Sequence, residues 1–135
     1  SEMCIRDSTK EELKMLNEGR KILSLPDLKV TCTCVRVPVY RSHSISVTAQ
    51  FEQPVDVETA RRAYDGKPGV AVMDNPSEGV WPTPLDSTNG DTCYVGRMRM
   101  DMAIDNALTL WVVGDQVRKG AALNAVQIAE LLVGR

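Results

Sequence analysis

Residues 108–113 read Leu-Thr-Leu-Trp-Val-Val, an apolar run marking a buried strand. Such a strand obliges the chain to build a sheet around it and to cover that sheet. The rest of the chain offers the partners. Residues 93–100 alternate enough for a second strand, and 70–73 form a brief apolar run that predicts a third. Residues 43–51 predict a fourth, with Ile45, Val47, Ala49 and Phe51 on the face of His43. Residues 29–37, rich in Val, Thr and Cys, predict a fifth. In that strand Val30, Cys32, Cys34 and Arg36 share one face, and Thr31, Thr33, Val35 and Val37 the other. The short link through residues 38–42 predicts an antiparallel connection between these last two.

Helix signals frame the strands. "TKEE" is a capping box, with Thr9 as N-cap and Glu12 reaching back. Leu13, Leu16 and Leu23 then fall near one face, flanked by Met15 and Ile22, until Pro26 forbids continuation. "VDVETARRAYDG" predicts a short helix ended by Gly66. "RKGAALNAVQIAELLV" has helical spacing through Ala122, Val126, Ala129 and Val133. Residues 75–90, with Pro76, Pro82 and Pro84, predict a long loop of the kind that is functional, interfacial or mobile. The expected order is helix, two strands, helix, three strands, helix. That is an α+β fold: a mostly antiparallel sheet covered by helices on one face.

A length of 135 residues suits one compact domain. A net charge of −2 carries no basic excess to suggest nucleic acid or a membrane surface. No apolar run approaches the ~20 residues that span a bilayer, and the start lacks the apolar centre of a signal peptide. A cytoplasmic location is expected. No G-x-G-x-x-G follows a strand, so no dinucleotide fingerprint is present. Cys32 and Cys34 form a C-x-C pair without the second ligand pair that zinc sites use, so no metal is expected. These two and Cys93 read as reduced, structural thiols. Residues 1–8, "SEMCIRDS", match nothing in the pattern that follows. They read as a non-native scar and, with Cys4, are set apart from the fold.

Three groups could carry chemistry. Arg36 and His43 are seven residues apart, and an unbroken strand would point them to opposite faces. Pro38 and the polar residues after it break the run, allowing both to reach one end of the sheet. Arginine there can grip a carboxylate through two parallel hydrogen bonds, and histidine is the side chain suited to moving protons near neutral pH. The structural alternative is an ion-paired arginine and a strand-edge histidine, and spacing alone favours it. Glu11 and Lys14, at i,i+3, form either a surface ion pair or a two-charge grip on a zwitterionic or phosphorylated substrate. Frequency favours the ion pair. Gly120 and the small residues after it permit close backbone approach, and Asn124 could reach a bound cofactor. Tight helix packing is the structural alternative, and pattern alone favours it.

Four stretches taken together change this balance. "TKEELKMLNEGRKIL", "TCVRVPVYRSHSISV", "VGRMRMD" and "LWVVGDQVRKGAALNAVQIAE" resemble the carboxy-terminal part of the aspartate-semialdehyde dehydrogenase family. The resemblance covers essentially everything after Ser8, in the family's order and spacing. It implies the α+β dimerisation half of an enzyme whose sheet mediates dimerisation, resembling the C-terminal domain of glyceraldehyde-3-phosphate-dehydrogenase-like proteins. By the same resemblance, residues 9–117 are the dimerisation and substrate-binding domain. Residues 118–135 are a helix that packs on a cofactor domain.

Roles carry over by residue. Arg36 matches the arginine that binds the substrate's α-carboxylate, and His43 the general acid/base. Glu11 and Lys14 match residues contacting the substrate's amino group and phosphate, and Asn124 a nicotinamide-side contact. The implied reaction is NADP-dependent reductive dephosphorylation of aspartyl phosphate to aspartate semialdehyde, serving lysine, threonine and methionine biosynthesis. In it a cysteine thiolate forms a thioester that hydride reduces. The implied partners are the substrate and a second copy in a homodimer, with a tetramer as the larger alternative, and neither nucleic acid nor membrane.

The sequence also departs from the family. The motif of the nucleophilic cysteine and the Gly-rich cofactor loop are not found, and none of Cys32, Cys34 or Cys93 stands in that motif. Arg41 and Ser42 stand where smaller or less charged residues are expected, which bears on pocket shape. The 135 residues alone are therefore expected to be inactive. The alternatives are a catalytically silent dimerisation module of the same superfamily and a free-standing module that binds no small molecule.

Overall fold

The structure, a computed structural model, describes residues 9–134. The expected scar at residues 1–8, with Cys4, lies outside the described residues. The chain divides into two units, with the boundary after Pro38.

The first unit is built on α1, Lys10–Ile22. Its start is the capping box read from the sequence. Thr9 Oγ1 accepts the Glu12 N–H at 3.3 Å, and Glu12 Oε2 accepts the Thr9 N–H at 2.7 Å. The helix ends before Pro26, through Leu23 and a left-handed Ser24. Residues 29–37 do not form the expected strand, and the expected antiparallel pairing with residues 43–51 is not made. Val, Thr and Cys favour an extended backbone, but a strand exists only where a neighbour completes its ladder. Here the backbone turns to the helix: the Cys34 N–H donates to Glu12 Oε1 at 2.9 Å, and Cys32 Sγ to the Glu12 carbonyl at 3.7 Å.

The second unit holds a four-stranded sheet in the order β1-β4-β3-β2. Its strands are β1 His43–Gln50, β2 Val70–Val72, β3 Cys93–Met100 and β4 Ala107–Gly114. β1 and β4 pair antiparallel from His43 opposite Gly114 to Gln50 opposite Ala107. β3 is antiparallel to β4, and only β2 runs parallel to its neighbour. The sequence-derived strand 108–113 is thus the centre of the sheet, between β1 and β3, and four successive residues from Ala107 to Leu110 are buried.

The faces follow the pleat. Val47, Leu108, Leu110, Val112, Val95, Val70 and Val72 gather on one face. There α2, Val57–Tyr64, packs Ala60 against them with Val57 and Tyr64 beside it. Asp56 caps α2 by accepting the Thr59 N–H at 2.6 Å, and Gly66 leaves it with a left-handed φ of 64°. Trp111 lies on the opposite face, which is roofed by the loop of residues 75–90. Its indole N–H donates to the Pro82 carbonyl at 3.1 Å. Gly96 makes that approach possible, because a Cβ there would lie 2.3 Å from the Met73 carbonyl oxygen and 2.5 Å from the Pro82 ring. The loop is itself ordered by hydrogen bonds. It contains a 3-10 turn at Pro76–Glu78 and the short helix α3, Pro84–Ser87. An antiparallel bridge joins Asn75 to Val80. α4, Leu123–Leu132, follows a π-helical turn at Arg118–Ala122. No helix among the described residues is long and apolar enough to cross a membrane.

Candidate active site

His43 is the first residue of β1, and β1 is an edge strand. Its cross-strand partner is Gly114, the last residue of β4. A side chain at Gly114 would place its Cβ 2.7 Å from Cys93 Sγ, so the thiol occupies the room beside the histidine's partner. His43 is exposed, and its ring has no hydrogen-bond partner among the described residues. Its placement therefore depends on the backbone that carries it.

That backbone is tightly held. Ser42 has a φ of 77° and is buried. A non-glycine residue there is uncommon and disfavoured, by about 1–2 kcal/mol for an L-residue. The Ser42 N–H donates to Gln116 Oε1 at 2.8 Å. Ser87 Oγ donates to the Ser42 hydroxyl at 2.9 Å, and Thr88 Oγ1 lies 3.2 Å from it. On the preceding residue, Arg41 Nε donates to Asp115 Oδ2 at 2.7 Å.

Asp115 follows the end of β4 and is 1% exposed. Besides Arg41, its carboxylate accepts the N–H groups of Asn89 at 2.8 Å, Val117 at 2.9 Å and Arg118 at 3.1 Å. Burial by itself pushes this carboxyl up. The Arg118 N–H, the Arg41 guanidinium and the other two N–H groups outweigh burial and bring it from the usual 3.8 to about 2. The carboxylate also opens the π-helical turn, in which Gly120 N–H donates to the Asp115 carbonyl at 3.1 Å and Ala122 N–H to Val117 at 3.2 Å. Asn124 lies beyond this turn on α4. It is exposed, with Oδ1 accepting from Lys119 Nζ at 3.1 Å. Gly120 has only ordinary contacts around it, the nearest being Gln116 Cβ at 3.6 Å.

The remaining candidates lie in the first unit. Glu11 and Lys14 form the i,i+3 pair, 2.9 Å apart and both about half exposed. Arg36 lies on the extended segment, two residues after Cys34, and is exposed. Glu12 links the two: its carboxylate caps α1 and holds the Cys34 N–H. The Cys34 and Thr9 N–H groups keep its pKa below the usual carboxylate value. One unit thus presents Arg36, Glu11 and Lys14, and the other His43 and Asn124.

Sequence reasoning noted Arg41 and Ser42 as unusual but gave them no role, and it missed Asp115 and Gln116. An aspartate directly after a buried strand was the available signal, since a charge there needs several donors. Among the described residues, no group of three or more His, Cys, Asp or Glu side chains is placed to hold a metal ion.

Comparisons with known proteins agree on one family. The semialdehyde dehydrogenase dimerisation-domain model matches residues 4–119. The aspartate-semialdehyde dehydrogenase of Synechocystis is 51% identical over 125 residues, covering 93% of this chain and 37% of that protein. The Aquifex aeolicus enzyme of the same name is 49% identical over 93% of this chain and 37% of its own length. Among solved structures, aspartate semialdehyde dehydrogenase II from Vibrio cholerae, complexed with ASA, superposes with a TM-score of 0.91 at 40% identity. That match covers 98% of this chain and 39% of that one. The chain thus spans a little over a third of the length of these relatives. With that match across most of its length and an α+β sheet of the same shape, the chain belongs to the semialdehyde dehydrogenase dimerisation-domain family.

Proposed function

We infer that this chain is the substrate-binding and dimer-forming part of an aspartate-semialdehyde dehydrogenase. That enzyme converts aspartyl phosphate to aspartate semialdehyde in the cytoplasm. The observation that carries this is the 51% identity over 125 residues with an enzyme of that name. The three described cysteines are free, which suits a reducing compartment.

Arg36 grips the substrate's α-carboxylate through its planar fork. Glu11 and Lys14 divide between the substrate's ammonium and phosphate. Their mutual ion pair is exposed, and separating such a pair costs only about 0.2–0.5 kcal/mol. Holding both ends of the amino acid fixes the reacting carbonyl, and orientation of this kind can lower a barrier by roughly 7–11 kcal/mol in ideal cases. His43 takes and returns the proton, its ring standing exposed at the end of β1. NADPH, when bound, supplies the hydride. Asn124 suits a contact to its carboxamide, because its amide nitrogen has no partner among the described residues while its oxygen is held by Lys119. The rest of the cofactor site belongs to another part of the enzyme, against which α4 packs. Exposed Val126, Ile128, Leu131 and Leu132 give α4 the surface for that. Two copies pair as a homodimer, a tetramer being the larger alternative. The sheet face of Trp111 supports this, with exposed Trp81, Arg97 and Arg99 around a groove.

The test exchanges this segment for the matching third of the Synechocystis enzyme and assays NADP-dependent oxidation of aspartate semialdehyde with phosphate. Turnover is expected. His43→Ala lowers it by about 10²–10⁴-fold, the usual loss of a general acid/base. Arg36→Lys chiefly raises KM, because lysine lacks the two-pronged contact. Wild-type kinetics in both variants refute these assignments.

A further inference from the structure

Among the described residues His43 has no side-chain partner to orient its ring, so what fixes it there acts through residues 41 and 42 or through the pairing with Gly114. Two segments far apart in sequence converge on residues 41 and 42: Ser87 and Thr88 at the end of α3, and Asp115 and Gln116 after β4, with the Asn89 N–H tying the two together through Asp115. Ser42, Ser87 and Asp115 are 4%, 0% and 1% exposed, so the contacts are shielded from water. At their centre is a serine at φ 77°, a conformation it does not adopt without compensation. Each contact acts on it. Gln116 accepts its N–H, Ser87 donates to its hydroxyl, the Thr88 hydroxyl lies in hydrogen-bond reach of the same oxygen, and Asp115 accepts from the guanidinium of the residue before it.

We propose that Asp115, Arg41 and Ser42 form a positioning clamp that holds the turn before β1 and thereby fixes where the His43 imidazole stands. The proposal deepens the acid/base assignment of His43 and rests on it for its catalytic consequence. Asp115 is a positioning residue, because its carboxylate is occupied by Arg41 and three backbone N–H groups and reaches His43 only through the turn. The Ser42 hydroxyl is a hook. It anchors a backbone shape that glycine would adopt without strain but would not hold.

His43 is the only histidine, so the 135-residue chain gives one set of imidazole signals by NMR. Ser42→Ala keeps the disfavoured φ and removes the hook. Asp115→Asn keeps the shape and removes the charge. Both are expected to shift or broaden the imidazole signals while the amides of the β3 strand stay in place. Ser42→Gly, which tolerates the φ, restores the imidazole shifts in part. In the exchanged enzyme, Ser42→Ala and Asp115→Asn are expected to lower kcat by about tenfold, with KM changed less than twofold. Ser42→Ala serves alone if Asp115→Asn does not fold. Unchanged imidazole signals in folded Ser42→Ala overturn the proposal, as does a lowered melting temperature with kcat unchanged. If His43→Ala instead keeps full turnover, the acid/base assignment fails. The imidazole signals then decide by themselves whether the clamp fixes the ring.

Discussion

Asp74 and Asp115 each have a side chain covered from solvent and paired to an arginine, and each accepts backbone N–H groups, yet they serve different parts of the second unit. Asp74 takes Arg61 of α2 at 2.5 Å and the N–H groups of Arg97 and Met98 at 2.9 and 3.1 Å. Those two residues sit in the irregularity of β3 between Gly96 and Arg99, where Arg97 has a φ of 56°. Asp74 thereby joins a helix to a bulge and sets Arg97 over the Trp81 ring, 5.3 Å from its centre. Asp115 takes its donors from turns and a helix start around His43. The same requirement, that a buried carboxylate collect enough donors, shapes a sheet in one place and the turn before His43 in the other.

The contrast can be broken at either end. The largest effect is expected for Asp74→Ala. It strands the Met98 N–H, leaves the Arg61 guanidinium only the residue-74 carbonyl, and costs about 3 kcal/mol, the upper end for a lost buried partner. Chemical denaturation should show this loss while the His43 imidazole signals stay in place, and movement of those signals would collapse the distinction between the two centres. Gly96→Ala comes next. Its Cβ meets the Met73 carbonyl and the Pro82 ring, so about 2 kcal/mol is expected, readable from the same denaturation curve.

A smaller contrast separates the arginines. Arg61 reaches both the carboxylate and the carbonyl of Asp74, whereas Arg41 reaches Asp115 through Nε. Lysine at 61 is therefore expected to cost about 1 kcal/mol in stability. Lysine at 41 is expected to cost less, while moving the His43 signals more. The smallest effect is an acid one. The pKa of Asp115 is depressed from 3.8 to about 2, so its contribution is present above pH 4 and is lost as pH falls toward 2. The groups facing it are Arg41 and Arg118, and Asp91, which pairs with Arg118. Loosening of the turn in that window should appear in the amide signals of Ser42 and Asn89, and Asp115→Asn should remove the pH dependence.

Some of the candidate site was legible from residues alone. The cap at Thr9, the helix carrying Glu11 and Lys14, and the strand beginning at His43 follow from local pattern, and the structure has each of them. Residues 29–37 were misread because propensity specifies an extended backbone and not the neighbour that makes it a strand. The Glu12 carboxylate, read as half of a capping box, also holds Cys34. A second acceptor site on a capping residue leaves no trace in spacing. The long loop was legible as a loop, but its hydrogen-bonded turn and its roof over Trp111 were not.

By itself the sequence determined the elements whose causes lie within a few residues: caps, helix periodicity, alternation and the apolar run at 108–113. Through four motifs it also determined the family. Only the tertiary structure decided which strands pair, that β4 rather than residues 29–37 lies beside β1, and where Asp115 finds its donors. Arg41 and Asp115 are 74 positions apart, Ser42 and Thr88 are 46, and Asn89 and Asp115 are 26. Contacts at those separations form only when the folded sheet has already brought the turns together, and no local pattern encodes them.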